Sequence, residues 1–124
     1  MQIISFILNL PYTFLGLVLA LVSIPDLKMD FRAKPIAIIV HVTIFWWAFG
    51  YMKGARAMAI GNVVILGQNI EKGDLKHELV HVEQFDRNPL VQPILYFIEL
   101  GRKGYRNNKY EVEAYTRAGN IYKT

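Results

Sequence analysis

The stretch whose residue types and spacing could do chemistry is His77-Glu78-Leu79-Val80-His81. Histidines four residues apart lie on the same face of a helix, one turn from each other, so both imidazoles can reach a single metal ion. Glu78, beside the first histidine, can then reach a water on that metal. This arrangement suits hydrolysis by a metal-activated water with a carboxylate as general base. The chain has only three histidines, and two of them fall in this pair. The plain alternative is a pair of hydrogen-bonded histidines with a surface glutamate, and the small histidine supply argues against it.

A catalytic zinc site takes three protein ligands and keeps one position open for water. Two histidines therefore need a partner, and the chain has no cysteine to offer. His41, Gln84, Asp86, Glu99, Glu111 and Glu113 are the available side chains. Gln84 shares the face of the two histidines but is a poor zinc ligand. Asp86 lies beyond His81 on the same helix and needs the chain to fold back. His41 falls on an expected strand, where a core histidine is the simpler role, and Glu99 sits in an apolar helix. Glu111 is on a separate helix whose face is otherwise Ala114 and Ala118, small enough for close approach to the zinc helix. Glu113 points about 200° away from Glu111, so the two cannot both be ligands. Glu111 is the preferred third ligand. Its ordinary role would be a solvated charge near a helix N-terminus.

Together, His77-Glu-Leu-Val-His81 and Asn107-Asn-Lys-Tyr-Glu111-Val-Glu-Ala114-Tyr115 resemble the zincin metallopeptidases of the glutamate-ligand (gluzincin) type. The spacing is most similar to the HExxH…NxxxExxA pattern of membrane-associated CAAX-processing zinc proteases, and it also resembles small bacterial HExxH domains. The resemblance covers the chain from Arg56 onward. It implies one Zn²⁺ per chain held by His77, His81 and Glu111, and peptide hydrolysis with Glu78 as general base. It also implies a donor for the oxyanion, for which Tyr105, Tyr110 and Tyr115 are equal candidates. The strand before the zinc helix, Asn62, Val63, Val64, Ile65 and Leu66, is where that architecture would offer an edge to a substrate peptide. The departure is Tyr115, where those peptidases carry an Asp that orients a ligand histidine. Here that support must come from another residue.

The elements that must position these groups are readable in outline. Asp74 stands where an N-cap belongs, and Leu75, Leu79 and Val82 form the apolar face of the helix that follows. Asn88-Pro89 stops it. Pro93 and Gly101 bracket another helix, residues 101–108 read as a basic loop, and Asn108 caps a last helix to about Tyr122. Upstream, Ile36–Trp47 and Ala57–Leu66 are rich in β-branched residues and read as buried strands that pair antiparallel, with Gly61-Asn62 as a bulge or kink. Asp26–Phe31 reads as a shorter strand. The expectation is one α+β domain over residues 1–124: an N-terminal apolar helix, a small antiparallel sheet, a zinc helix and C-terminal helices. A two-span membrane protein, with Ile36–Phe49 helical, is the weaker architecture.

The chain has 124 residues, 53% of them hydrophobic, and a net charge of +4. Met1 to Pro25 contains no Asp, Glu, Lys, Arg or His. Ile3 to Ile24 is long enough for a membrane helix, yet Asn9 and Pro11 interrupt it. Ser5, Asn9, Tyr12 or Thr13, Gly16, Ala20 and Ser23 recur at helical spacing as a small, weakly polar stripe. It reads either as a membrane anchor or as a buried helix whose small stripe is a packing seam. A signal peptide is disfavoured because Met1-Gln2 gives no basic start. If this segment spans a bilayer, Lys28, Arg32 and Lys34 favour a cytoplasmic C-terminal domain. The basic cluster Arg102, Lys103, Arg106 and Lys109 carries no nucleic-acid motif and fits a solvated helix end near anionic lipid. The partners expected are a peptide or protein substrate and a membrane, and not nucleic acid.

Overall fold

The structure is a computed structural model that describes residues 2–23, 25–33, 36–43, 57–68 and 70–119. Among the described residues, five helices and a four-stranded mixed sheet make an α+β fold. Its first elements are helices α1 (Gln2–Leu8) and α2 (Leu10–Val22). The single apolar helix expected from Ile3 onward is thus replaced by two that meet at Asn9. Pro11 lacks the N–H that would bond back to the first helix. Asn9 has its side chain engaged elsewhere: its Nδ2 donates to the Phe85 carbonyl and its Oδ1 accepts from the Leu90 N–H, each at 2.9 Å. No described helix is long and apolar enough to cross a membrane.

Strands β1 (Pro25–Ala33), β2 (Ile36–Val42), β3 (Ala57–Ile60) and β4 (Val63–Leu66) form one sheet in the order β1-β2-β4-β3. β1 and β2 pair antiparallel, as do β3 and β4, but β2 and β4 run parallel, with Ile38 opposite Val63 and His41 opposite Leu66. The sheet is therefore mixed and not antiparallel throughout. The cause is Gly61-Asn62, which is a full reversal of the chain where a bulge or kink was expected. Gly61 has φ 60°, the left-handed value that two-residue hairpins place on glycine. The reversal turns β4 parallel to β2. With β2 a strand, the two-span membrane architecture is set aside for residues 36–42; residues 44–49 lie outside the described set.

Side chains alternate between the two faces of the sheet, as the strand pleat requires. Ala37, Ile39, Ala57, Val64 and Leu66 meet Leu79 and Val82 of helix α3 (Asp74–Arg87), with Leu75 beside them. Val40, Val42, Val63 and Ile65 meet Ala20 of α2 on the opposite face, flanked by Leu17 and Leu19. Buried between helices on both sides, β4 carries apolar residues at every position. Each such side chain stabilises the fold by about 1.5–3 kcal/mol.

Two helices complete the chain: α4 (Gln92–Asn107) and α5 (Lys109–Ala118). The basic loop expected over 101–108 is instead helical, continuing past Gly101 and bending at Gly104, whose φ is 77°. Asn108 caps α5 as expected, its Oδ1 accepting the Tyr110 N–H at 2.9 Å. Its Nδ2 also donates to the Tyr96 carbonyl, and Glu99 accepts the Lys109 N–H. These contacts fix where α5 starts relative to α4. The helix closes at Ala118, with Gly119 left-handed behind it; the expected extension to Tyr122 lies outside the described residues. Asp74 does not cap α3. Gly73 holds that position with φ 89°, and the Asp74 carboxylate accepts the Glu71 N–H at 2.8 Å, which closes the preceding turn.

The hairpin turn also seats α2. A Cβ on Gly61 would stand 2.5 Å from the Thr13 backbone nitrogen, and the backbone there is left-handed. Gly61→Ala is expected to lower stability by about 1–3 kcal/mol, from strain and overpacking together. Urea denaturation would show this as a lower midpoint; an unchanged midpoint would contradict the close contact between turn and helix.

Candidate metal centre

Helix α3 presents His77, His81 and Gln84 on one side, spaced at 0°, about 40° and about −20° around the axis. Its opposite side, through Leu75, Leu79 and Val82, is held by the sheet. Helix α5 lies against the histidine side. The contact allows close approach because Ala114, one turn after Glu111, is small and fully buried. Glu111 is thereby inserted between the two imidazoles.

Its Oε1 lies 2.9 Å from His77 Nε2 and 3.0 Å from His81 Nε2, and the two Nε2 atoms are 3.2 Å apart. Three ligand atoms thus form a nearly equilateral triangle. A tetrahedral ion bonded to histidine and carboxylate at roughly 2.0–2.1 Å needs ligand edges of roughly 3.3 Å. The observed edges reach that value with a few tenths of an ångström of side-chain movement. Among the described residues, His77, His81 and Glu111 are the group able to hold a metal ion. The donor set, two imidazoles and a carboxylate, matches the N/O preference of a catalytic zinc ion.

Hydrogen bonding determines which tautomer His81 adopts. Gln84 Nε2 donates to the Tyr110 carbonyl and to Glu113 Oε1, both at 3.0 Å. Both partners are acceptors only, so the Gln84 amide cannot be turned the other way. Its Oε1 therefore faces His81 Nδ1 at 2.8 Å, and Nδ1 must carry the proton. In neutral His81 the Nε2 lone pair then points at Glu111 Oε1 and His77 Nε2. Such a cluster of electron pairs calls for a positive centre among them, either a proton or a metal ion. Gln84 thus fixes His81 from the side away from Glu111.

The Glu111 carboxylate is further fixed by the Tyr96 hydroxyl, which donates to Oε2. Burial pushes its pKa up. When a proton is that positive centre, the charge it gives His81 and the hydrogen bonds from both imidazoles and Tyr96 outweigh burial and hold Glu111 well below the usual carboxylate range. Glu111 is thus an anion in a site where it is only 4% exposed.

The expected residues fall as follows. His77, His81 and Glu111 converge, and Glu78 is buried on the same helix. The ring of Tyr115 packs edge-on against His77, with centroids 4.2 Å apart, and the Tyr105 and Tyr115 hydroxyls are hydrogen-bonded at 2.8 Å. Burial, the nearby Glu111 charge and the bond to Tyr115 push the Tyr105 hydroxyl pKa far up, so it stays protonated. Tyr110 serves the site through its backbone carbonyl. The other third-ligand candidates are used elsewhere. Asp86 accepts from Asn62, Glu99 from the Lys109 N–H, and Glu113 from Gln84, Arg87 and Arg117. His41 sits on β2, paired with Leu66.

Asn62–Leu66 cannot be a substrate edge. β4 lies between β2 and β3, so both of its edges are already paired. Among the described residues, β1 and β3 are the outer strands. Asn62 instead has a structural task, donating from Nδ2 to the Ile36 carbonyl and from its backbone to Thr13 Oγ1. Two functional residues were not legible as such. Gln84 carried a signal, its i+3 spacing from His81 on the same face. Tyr96 carried none, because its approach to Glu111 exists only after α4 folds back on α5.

No protein-family model, curated protein or solved structure matches the chain.

Gln84 can be tested apart from the ligands. Gln84→Leu frees the His81 tautomer and leaves the three ligand atoms in place. Metal affinity is expected to fall by roughly 10–100-fold, the usual effect of removing a group that orients a ligand. Competition with a chromophoric chelator would measure it, with circular dichroism confirming the fold. Unchanged affinity would mean that Gln84 does not set the tautomer.

Proposed function

We propose that this chain is a minimal zinc-dependent hydrolase of the zincin type, acting on peptide bonds. The observation that carries the reading is the convergence of His77, His81 and Glu111 within hydrogen-bond distance, with the His81 Nε2 lone pair directed inward by Gln84. The resemblance of the HExxH and ExxA segments to gluzincins supports the same assignment. A metal ion bound by these three side chains supplies a positive charge that acidifies water and polarises a carbonyl.

The remaining chemistry belongs to the protein. Glu78, one residue from His77 and a turn before His81, accepts the proton of the attacking water and returns it to the departing amine. Its side chain is almost wholly buried. The edge-on Tyr115 ring keeps the His77 imidazole upright. Because Tyr115 packs on that ring and its hydroxyl is bonded to Tyr105, this pair is the better candidate among the three tyrosines for stabilising an oxyanion. Tyr110 is the weaker one, since its backbone is what faces the site.

A second reading, a zincin-like fold that holds metal structurally, is favoured by the burial of the centre. His77 is fully buried and His81 is only 9% exposed. A hydroxamate needs an open coordination position and separates the two readings: it binds a catalytic site and leaves a closed one unchanged.

Protein purified without chelators is expected to bind one equivalent of zinc, read by plasma emission spectrometry. His77→Ala, His81→Ala and Glu111→Ala should each abolish it. Glu78→Gln should keep the metal and lower the hydrolysis of an unstructured protein substrate at least about a hundredfold, the contribution of a general base. Failure of the folded protein to take up added zinc, or any other divalent ion, would overturn the reading.

A further inference from the structure

The N-terminal helices are built inside out. The residues turned toward the domain are Ser5, Asn9, Thr13, Gly16, Ala20 and Ser23, all buried. Large apolar side chains face outward instead, with Phe14 and Leu21 each 70% exposed and Ile3, Ile4, Ile7 and Leu15 exposed beside them. A helix of a water-soluble domain has the opposite polarity. A small, weakly polar seam against protein and an apolar surface outside is the arrangement of helices in lipid.

This polarity is held in place along the whole length. Ser5 Oγ donates to the Asp86 carbonyl at 2.7 Å, Asn9 bridges Phe85 and Leu90, and the Asn62 N–H donates to Thr13 Oγ1 at 3.1 Å. At the far end the Thr43 N–H bonds to the Ser23 carbonyl. The helices cannot rotate their apolar face inward without breaking these contacts. They also cannot stand upright in a bilayer without taking the sheet and α3 with them.

A second apolar stripe joins the first. Leu90 is bonded to Asn9, and its carbonyl accepts from the Tyr12 hydroxyl. From there Val91, Ile94, Phe97 and Ile98 run exposed along α4 at helical spacing. The stripe ends at Arg102, Lys103 and Arg106, also exposed. An apolar helix face that finishes in a basic cluster fits the acyl boundary and the headgroups of an anionic bilayer.

We infer that the outer face of α1–α2, continued by the α4 stripe, docks flat on an anionic lipid bilayer, with Arg102 and Arg106 against the headgroups; Lys103 beside them is paired with Glu99. A bilayer fits this face better than a protein partner. Protein interfaces carry a polar rim and about one hydrogen bond per 100–200 Å². The α1–α2 segment has no charged side chain at all, and hydrocarbon asks for none.

The test is co-sedimentation with vesicles of phosphatidylcholine, with and without phosphatidylglycerol. The protein is expected to bind the anionic vesicles more tightly. Phe14→Glu combined with Leu21→Glu should weaken binding roughly tenfold or more. Arg102→Glu with Arg106→Glu should lower affinity for anionic vesicles alone, by about fivefold or more per residue, since one basic residue at such a surface contributes about 1 kcal/mol. The chain has no native cysteine, so an environment-sensitive dye can be attached at Leu21→Cys. Its emission should shift to the blue on addition of anionic vesicles, and the same dye at Thr116→Cys on α5 should not respond. A silent dye at Leu21→Cys would overturn the inference, because the face would then be covered by another part of the chain or by a partner. So would a soluble dimer that Phe14→Glu dissolves in the absence of any vesicle binding, since the face would then join two copies. Metal content should be unchanged in all these variants, which separates this inference from the metal reading.

Discussion

The fold around the centre depends on one buried ion. Glu111 is charged and almost wholly withdrawn from water. A carboxylate in that position costs several kcal/mol unless it is matched by hydrogen bonds and positive charge. Two imidazoles and the Tyr96 hydroxyl supply the match. Attraction outweighs desolvation here, since the pKa falls when burial alone would raise it. Every element near Glu111 serves that balance. Ala114 lets α5 approach α3, Asn108 fixes the first turn of α5, and the Asn108 and Glu99 bonds between α4 and α5 bring Tyr96 to the second carboxylate oxygen.

Around this runs a ring of ordinary ion pairs. Arg87 and Arg117 both reach Glu113, and Arg117 also reaches Glu83. Exposed pairs of this kind contribute about 0–1 kcal/mol each, so stability is not their main effect. Glu113 is the acceptor that, with the Tyr110 carbonyl, holds the Gln84 amide one way round, and Gln84 Oε1 in turn accepts the hydrogen bond from His81 Nδ1–H. A pair on the surface thus determines which lone pair is offered inside. The layer also tethers α3 to α5 along a line parallel to the ligands, so the triangle of donor atoms is held at two levels.

The sequence revealed the local features and not the long-range ones. The histidine pair, the apolar face of α3 and the Asn108 cap follow from spacing within one helix, and the structure places them so; Glu111, and not Glu113, is the carboxylate that lies against the two imidazoles. Pairing of strands does not follow from local pattern. Ala57–Leu66 has the composition of one long strand, and only the left-handed backbone at Gly61 makes it two, which changes the direction of β4 and puts it in the sheet interior. Polar composition likewise suggested a loop over 101–108. Arg102, Lys103 and Arg106 are good helix formers, and the helix yields only at Gly104. Asp74 had the residue type of a cap, but Gly73 could take the left-handed conformation, which left Asp74 free to close the turn.

The N-terminal segment shows the limit of reading a stripe without its surroundings. Its small residues were visible as a seam, and a seam can face protein whether the other side meets more protein or lipid. Spacing alone cannot tell these apart, because they differ only in what covers Phe14 and Leu21. The structure leaves that side uncovered by any described residue and turns Ser5, Asn9 and Thr13 inward, where they are bonded to α3 and to the β3–β4 turn. Those bonds anchor the apolar surface to the same helix that carries the histidines. A force that holds α1–α2 on a surface therefore acts on α3 directly, and through Leu90 on α4. The histidine–glutamate cluster and the apolar face are thus parts of one packed unit.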